Sequence, residues 1–119
     1  MPKVTGIGGV FFKSRDPAAL AAWYSTHLGF SVEDWGGVQF DWVTPGYSLW
    51  APFKESSGYF APSDRPFMIN FRVDDLDGLL ASLRAAGAQV LDRRESTPQG
   101  EFGYVVDPEG TLLELWQPA

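Results

Sequence analysis

The residues best suited to chemistry are polar side chains that interrupt apolar segments in the second half of the chain. Asn70 lies within FMINFRV, and Glu114 lies within TLLELW near the end of the sequence. A buried amide or carboxyl group costs free energy unless it is hydrogen-bonded, so such groups usually have a protein or ligand partner. We therefore expect Asn70 to pair with Glu114 or with a bound molecule.

Glu114 itself has two possible roles, and the sequence supports them about equally. It is either a buried acid held by an ion pair with Arg72 or Lys13, or a residue that contacts a ligand or transfers a proton. The second interpretation includes a general acid or base, a role for which a carboxyl group buried among aromatic side chains is suited. The choice between them depends on what surrounds Glu114 in the fold.

The composition limits the classes of function. The chain has 119 residues with a formal net charge of −6, so a nucleic acid is not an expected partner. It contains no cysteine, which excludes disulfides and thiolate chemistry and suits a reducing cytoplasm. No signal peptide or membrane span is visible, and a cytoplasmic protein is predicted. The nine Phe, five Trp and four Tyr exceed the needs of one small core and predict a lined cavity or interface.

The first half of the chain predicts a strand, a helix and three further strands. Asp16 and Pro17 are typical of an N-cap and a first helical position, and Gly29 is typical of a helix end. Strands are predicted at 7–12, about 30–35, 38–43 and 47–51. The polar, turn-rich segment 54–66 then predicts a linker or a lid.

The second half repeats this order. A strand is predicted at 67–73, and Asp74 or Asp75 caps a helix that Gly87 ends. The apolar stripe of that helix comprises Leu76, Leu79, Leu80 and Leu83. Three strands follow at 89–92, 102–106 and 111–116, and the DPEG segment at 107–110 predicts a turn between the last two. The acidic residues near the helix start, including Asp77, are interpreted as capping charges and not as a metal cluster.

An internal repeat relates the two halves. GVFFKSRDP from Gly9 aligns with MINFRVDDL from Met68, and PGYSLW ending at Trp50 aligns with EGTLLE ending at Glu114, a period of about 60 residues. One repeat cannot bury both faces of its sheet, so the copies should pack together. We predict a single α+β domain over residues 1–119. Two tandem βαβββ modules, at about 4–53 and 67–118, would form a curled mixed sheet around a cleft.

Three segments carry a resemblance to a known superfamily: SRDPAALAAWYSTHLGF at 14–30, FRVDDLDGLLASLRAAGAQV at 71–90 and VDPEGTLLELWQP at 106–118. With these segments the chain resembles the vicinal-oxygen-chelate superfamily of glyoxalase, bleomycin-resistance and extradiol-dioxygenase proteins. The resemblance spans essentially the full length. It implies paired βαβββ modules with their helices outside the cleft, and it implies a homodimer.

The resemblance also implies where a metal ion would be held. Enzymes of the superfamily generally bind a divalent metal through four side chains in the cleft. Carried over by position, those places are Gly9, Trp50, Met68 and Glu114, of which only Glu114 offers a donor that a hard divalent ion prefers. We therefore expect no metal and no other cofactor. The single histidine, His27, lies in the first helix and is interpreted as a packing or surface residue.

Strand alternation predicts which side chains face the cleft. Ile69, Phe71 and Val73 should pack under the helix, while their neighbours point into the cleft. In addition to Glu114, the predicted ligand-binding residues are Phe11, Lys13, Phe40, Trp42, Trp50, Met68, Asn70, Arg72, Tyr104 and Trp116. An aromatic-rich pocket with a few polar groups is typical of a small-molecule site.

Two classes of function follow from this cleft. The favoured one is binding or sequestration of a small aromatic or apolar molecule, stacked against Trp50 and Trp116 and oriented by Glu114 and Asn70. The alternative is an enzyme of lyase, isomerase or dioxygenase type, with Glu114 as a metal ligand or as a general acid or base. The sequence leaves open whether the protein is an enzyme.

Overall fold

The chain folds into two helices and one five-stranded mixed sheet, an α+β architecture. The computed structural model describes residues 1, 3, 5–43 and 45–119, so the predicted first residue of the first module, residue 4, lies outside this part. In chain order the elements are α1 (Pro17–Leu28), β1 (Ile69–Arg72), α2 (Leu76–Ala85), β2 (Gln89–Val90), β3 (Glu95–Thr97), β4 (Gly100–Val106) and β5 (Leu112–Pro118).

Both helices begin at the predicted caps. The Asp16 side chain accepts a hydrogen bond from the Ala19 N–H at the start of α1, and Gly29 ends this helix with φ of 71°. Asp75, the second of the two predicted candidates, caps α2. Neither described helix is long and apolar enough to cross a membrane.

The start of α1 is also held from the far end of the chain. The Glu109 carboxylate, in the turn between β4 and β5, accepts hydrogen bonds from the Ser14 hydroxyl at 2.6 Å and from two backbone N–H groups, those of Arg15 and Asp16. These bonds hold the pKa of Glu109 below its ordinary value, chiefly through Ser14. The DPEG segment therefore anchors the first helix as well as closing a hairpin.

The sheet has the order β1-β5-β4-β2, and β3 pairs with β4. Strand β1 runs parallel to β5, whereas β4 runs antiparallel to β5, β2 and β3. The register places both Asn70 of β1 and Tyr104 of β4 opposite Glu114 of β5. Side chains directly opposite each other share a face of the sheet. The register therefore gathers these three polar side chains on one face.

The two faces of the sheet carry different cores, as alternation predicts. The helices cover one face, where Ile69, Phe71 and Val73 pack as expected against a buried cluster comprising Leu20, Tyr24, Leu76, Leu80, Leu83, Val105, Leu113 and Leu115. The other face is covered by the segment that joins the two halves of the chain. There Tyr59, Phe60 and Met68 pack against a second cluster comprising Tyr104, Val106 and Leu112.

The strands predicted for the first half are not formed among the described residues. From 5 to 43 and from 45 to 53 the only regular element is α1, so the four strands predicted at 7–12, 30–35, 38–43 and 47–51 are absent. A strand needs a neighbour for its backbone N–H and C=O groups, and within one chain these segments do not pair with the formed sheet. Their apolar side chains stay outside, with Phe11 89% and Trp42 94% exposed.

Candidate functional site

Glu114 lies at the centre of a hydrogen-bonded group on the face of the sheet opposite the helices. Its side chain is buried, and Oε1 accepts a hydrogen bond of 2.8 Å from Asn70 Nδ2. Oε2 accepts hydrogen bonds from the hydroxyl of Tyr104 at 2.8 Å and from that of Tyr59 at 2.5 Å. The predicted pairing of Asn70 with Glu114 is confirmed. Among the described residues the partners of Glu114 are an amide and two phenols, not Arg72 or Lys13.

The local sequence explains this arrangement. Asp107 begins the turn after β4, and its Oδ1 accepts hydrogen bonds from the N–H groups of Glu109 at 2.8 Å and Thr111 at 3.0 Å. A turn held in this way fixes how β4 and β5 align. The resulting register sets Tyr104 directly opposite Glu114 and brings its hydroxyl to the carboxylate.

Tyr59 reaches the site from the segment predicted to be a linker or a lid. The Arg93 guanidinium carbon lies 4.0 Å from the centroid of the Tyr59 ring and 4.2 Å from that of Tyr104, which are cation–π contacts. Arg93 also donates a hydrogen bond of 3.0 Å to the Tyr59 carbonyl oxygen. Arg93 therefore holds both the backbone and the ring of Tyr59 over Glu114.

A second carboxyl group reaches the same tyrosines. Glu95 Oε2 lies 2.5 Å from the Tyr104 hydroxyl, and Glu95 forms an ion pair of 3.7 Å with Arg93. Burial raises the pKa of Tyr104, and the hydrogen bond to Glu95 adds to this effect. Burial, followed by the bond to Glu114, also raises the pKa of Tyr59. Both phenols are therefore held in the neutral form between the two carboxyl groups.

The structure brings together only part of the predicted ligand-binding set. Asn70, Tyr104 and Glu114 meet, and Met68 packs against the Tyr104 cluster. Trp116 is buried two residues beyond Glu114, where its ring stacks on Phe102 and its Nε1 donates to the Gln99 carbonyl oxygen. The remaining predicted residues are exposed: Phe11, Lys13, Phe40, Trp42, Trp50 and Arg72.

Trp50 and Trp116, against which a ligand was predicted to stack, do not lie together in the described structure. Trp50 is 81% exposed, and it is the Tyr47 ring that lies 5.6 Å from the Trp116 ring. The stacking prediction assumed that a strand at 47–51 pairs within the chain, and no such strand is formed among the described residues. Aromatic contact with Trp116 therefore comes from the first half, but from a different residue.

Sequence reasoning missed Tyr59, Arg93 and Glu95. Tyr59 carried a usable signal, because Tyr59 and Phe60 are bulky aromatic residues within an otherwise polar segment, and such a pair usually packs on something. Arg93 and Glu95 carried no such signal, since charged residues near a short strand are normally solvated. Their role depends on the place where β3 meets β4.

The residues at the four ligand places implied by the superfamily do not fit a divalent metal ion. Gly9 has no side-chain donor, Trp50 is exposed, and the Met68 side chain packs in the apolar cluster beside Tyr104. In the described part of the chain, no group of three or more His, Cys, Asp or Glu side chains is arranged to hold a metal ion. Glu114 thus stands without a partner ligand.

A separate pocket lies away from Glu114. It has a volume of about 400 Å³, and its walls include Ser63, Arg65, Gln89 and Glu109. Glu109 is already engaged with the start of α1 and with Arg65. The Glu114 group is the stronger candidate for a binding site because its polar atoms converge at one point among aromatic rings. In this structure the Tyr59 side chain fills the space above that point.

Comparisons with known proteins agree with this fold. The glyoxalase-like domain family matches residues 9–116, and the chain belongs to that family. The resemblance to the vicinal-oxygen-chelate superfamily is thereby confirmed. No curated protein matches the chain.

Several solved structures are similar to the chain. A glyoxylase/bleomycin resistance protein/dioxygenase domain from Frankia sp. EAN1pec is 19% identical over 98% of this chain and 100% of its own, with a TM-score of 0.60. TioX from Micromonospora sp. ML1 is 20% identical over 89% and 90%, with a TM-score of 0.53. A conserved domain protein is 28% identical, but the match spans only 44% of this chain and 47% of its own, with a TM-score of 0.41. At these identities the first two indicate a shared fold.

Proposed function

We propose that the protein binds a small, largely apolar aromatic molecule at Glu114, without a metal ion. The observation that supports this proposal is the convergence of Asn70, Tyr104 and Tyr59 on one buried carboxylate. A buried carboxylate with only neutral hydrogen-bond donors costs more than an apolar side chain would. A binding site is a sufficient reason to keep such a residue in a sheet whose other face is a plain apolar core.

Access to this site depends on the segment at 54–66. Tyr59 occupies the space over Glu114, so a ligand must displace its side chain. Tyr59 packs against the cluster of Tyr104, Val106 and Leu112, accepts a hydrogen bond from Arg93 at its carbonyl oxygen, and lies with its ring centroid 5.3 Å from that of Phe53. The segment contains no helix or strand, and irregular segments open locally at a lower cost in free energy than the sheet that they cover. The segment can thus act as a lid.

Tryptophan fluorescence tests the proposal, because Trp116 lies two residues from Glu114. The protein is titrated with a panel of aromatic metabolites and antibiotics, and each compound that quenches is assayed for turnover. Glu114→Gln keeps the shape of the side chain but replaces one acceptor oxygen by a donor, so the affinity for compounds bound at this carboxylate falls. Glu33→Gln, an exposed position, is the matched control and leaves the affinity unchanged. Absence of quenching by every compound would count against the proposal.

One observation favours an enzyme as the second candidate. Glu95, Tyr104, Tyr59 and Glu114 form a chain of oxygen atoms separated by 2.5 to 2.9 Å, along which a proton can move. In an enzyme of this kind Glu114 acts as the general acid or base. Glu114→Gln then lowers turnover by about a hundredfold or more while binding persists. Loss of binding without any measurable turnover in the parent protein favours the binding function.

We further propose that the protein is a homodimer in which a second copy covers the first half of the chain. Every exposed large apolar residue of the described chain lies within its first 53 residues, and Trp42 and Trp50 are more than 80% exposed. The same chain leaves β1 at the edge of the sheet with a single hydrogen-bonded neighbour. The chain thus carries both apolar segments with a strand-like pattern and an open strand edge, which suits an isologous pair.

The exposed aromatic area is large enough to support a second copy of the chain as the partner. Three aromatic side chains, Phe11, Trp42 and Trp50, would remove about 500 Å² of exposed surface per chain if covered, close to what a specific interface needs. Sedimentation at micromolar concentration should give a dimer, and Trp42→Glu should give a monomer. Lys54→Glu is the control, because it introduces the same acidic residue at an exposed position without removing an aromatic side chain. A monomeric parent protein would contradict the proposal.

The location of the protein in the cytoplasm remains a prediction. It rests on the absence of cysteine, which suits a reducing compartment.

A further inference from the structure

We infer that the ligand is a phenol that takes the place of the Tyr59 side chain, with its hydroxyl on Glu114 and Tyr104 and its ring beneath Arg93. This inference rests on the proposed binding function and names the chemical class that the same site selects. The supporting observation is that the site already holds a phenol of the protein itself, the Tyr59 side chain.

Each part of the Tyr59 side chain has a partner in the fixed part of the fold. The hydroxyl lies 2.5 Å from Glu114 Oε2 and 2.9 Å from the Tyr104 hydroxyl, so one group accepts and the other can donate or accept. The ring lies under the Arg93 guanidinium at 4.0 Å. Glu114 and Tyr104 belong to the central strands of the sheet and remain in place when residues 54–66 move away.

The groups around the hydroxyl disfavour three other kinds of aromatic ligand. An aromatic carboxylate would set its negative charge against Glu114, with Glu95 close by on Tyr104. A cationic ring would meet the guanidinium of Arg93 above it. A ring with no polar substituent would not replace the hydrogen bond that Tyr59 donates to Glu114, and a bond to a buried carboxyl group is costly to lose even though Asn70 and Tyr104 still donate to Glu114. A neutral phenol avoids all three of these unfavourable effects.

The protonation state of the bound phenol also follows from the surroundings. Burial and the bond to Glu114 raise the pKa of Tyr59, so this place favours a phenol over a phenolate. A phenolic ligand should therefore lose affinity as the pH rises above its own pKa.

The experiment removes the internal phenol and offers an external one. Tyr59→Ala is titrated by calorimetry with 4-methylphenol, with toluene and with 4-methylbenzoate. We expect 4-methylphenol to bind this variant at least about tenfold more tightly than toluene, because only the phenol restores a hydrogen bond to a carboxylate. We expect 4-methylphenol to bind the parent protein at least about tenfold more weakly than the variant, because Tyr59 competes.

Two further variants serve as controls. Phe60→Ala removes a neighbouring ring from the same segment and the same cluster, but not one that contacts Glu114, so it should not gain affinity for 4-methylphenol. Adding Glu114→Gln to Tyr59→Ala should abolish the preference for the phenol over toluene. If Tyr59→Ala does not fold, Tyr59→Leu keeps apolar contact with Phe53 while removing the ring and the hydroxyl, and the same titration applies.

The outcomes distinguish a failure of the phenol class from a failure of the binding function. Equal binding of toluene and 4-methylphenol, or an equal gain in Phe60→Ala, would overturn the phenol class while leaving an aromatic site intact. Absence of binding to a folded Tyr59 variant overturns the phenol class as well. The binding function itself fails only if the fluorescence titration of the parent protein finds no ligand.

Discussion

The Tyr24 hydroxyl donates a hydrogen bond of 2.7 Å to Asp107 Oδ2, which ties helix α1 to the turn between β4 and β5. Both residues are buried, and the other carboxyl oxygen of Asp107 accepts the backbone N–H groups that close the turn. One carboxyl group thus joins the first helix to the strand that carries Glu114.

We predict that Tyr24→Phe lowers the free energy of unfolding by about 2 kcal/mol, because it leaves a buried carboxyl oxygen without its donor. Tyr47→Phe removes a hydroxyl from a side chain that is 55% exposed and serves as the control, with a change below about 0.5 kcal/mol. Urea denaturation of both variants measures the difference. Equal losses in the two variants would show that the bond contributes no stability.

A second prediction concerns alkaline pH. Burial raises the pKa of Tyr24 and of Tyr104 well above the ordinary range, and hydrogen bonds to carboxyl groups add to both shifts. In the unfolded chain these phenols titrate near pH 10. The folded state therefore retains more protons above that pH, so stability is fully present below about pH 10 and falls as the pH rises further.

Near-ultraviolet absorbance, followed together with circular dichroism, checks this prediction. The tyrosinate signal of the buried residues should appear only as the fold is lost. Titration of all four tyrosines at ordinary pH with an intact fold would contradict it.

A third prediction concerns the start of β4. Gly100 has φ of 136°, and a Cβ atom there would lie 2.2 Å from the Gln117 carbonyl oxygen on the neighbouring strand. Gly100→Ala should therefore cost about 2 kcal/mol or more in stability. Gly58→Ala is the matched control, because a Cβ at Gly58 meets nothing within 4 Å. Thermal unfolding should separate the two variants by several degrees.

A fourth prediction concerns metal content. The purified protein should contain no stoichiometric divalent metal, since Gly9, Trp50 and Met68 stand where ligands would be needed beside Glu114. Elemental analysis after mild purification provides the measurement. About one zinc, nickel or iron per chain would show that the donors come from elsewhere.

The first helix and the second half of the chain were largely predictable because their signals are local. Asp16, Pro17 and Gly29 define α1 through caps, and the DPEG turn defines the last hairpin. Period-two alternation placed Asn70 and Glu114 on one face, and the hydrogen bond between them was expected from the cost of leaving a buried polar group unpaired. The buried partner is Glu114, whereas Asn70 is exposed. Strand β3 was missed, although Pro98 and Gln99 between β3 and β4, followed by Gly100 at the start of β4, are typical turn residues.

The first half was not predictable in the same way. Its segments have the alternation of strands, yet a strand exists only where another strand offers its backbone, and the sequence does not say which one. The exposed side chains of Phe11 and Trp50 are the result. The partners of Tyr59 were hidden for a related reason, because its contacts with Glu114 and Arg93 span 55 and 34 residues.

The bonds from Glu109 to Ser14, Arg15 and Asp16 have a consequence for the order of folding. They join residues 93 to 95 positions apart, whereas the hairpin of β4 and β5 closes across a short turn. Distant contacts form late because closing a long loop costs entropy before any contact repays it. During synthesis on the ribosome, helix α1 is made before residue 109, so these bonds to its first turn cannot form until residue 109 has emerged. Until then the helix can pack on α2 but lacks its link to the turn between β4 and β5.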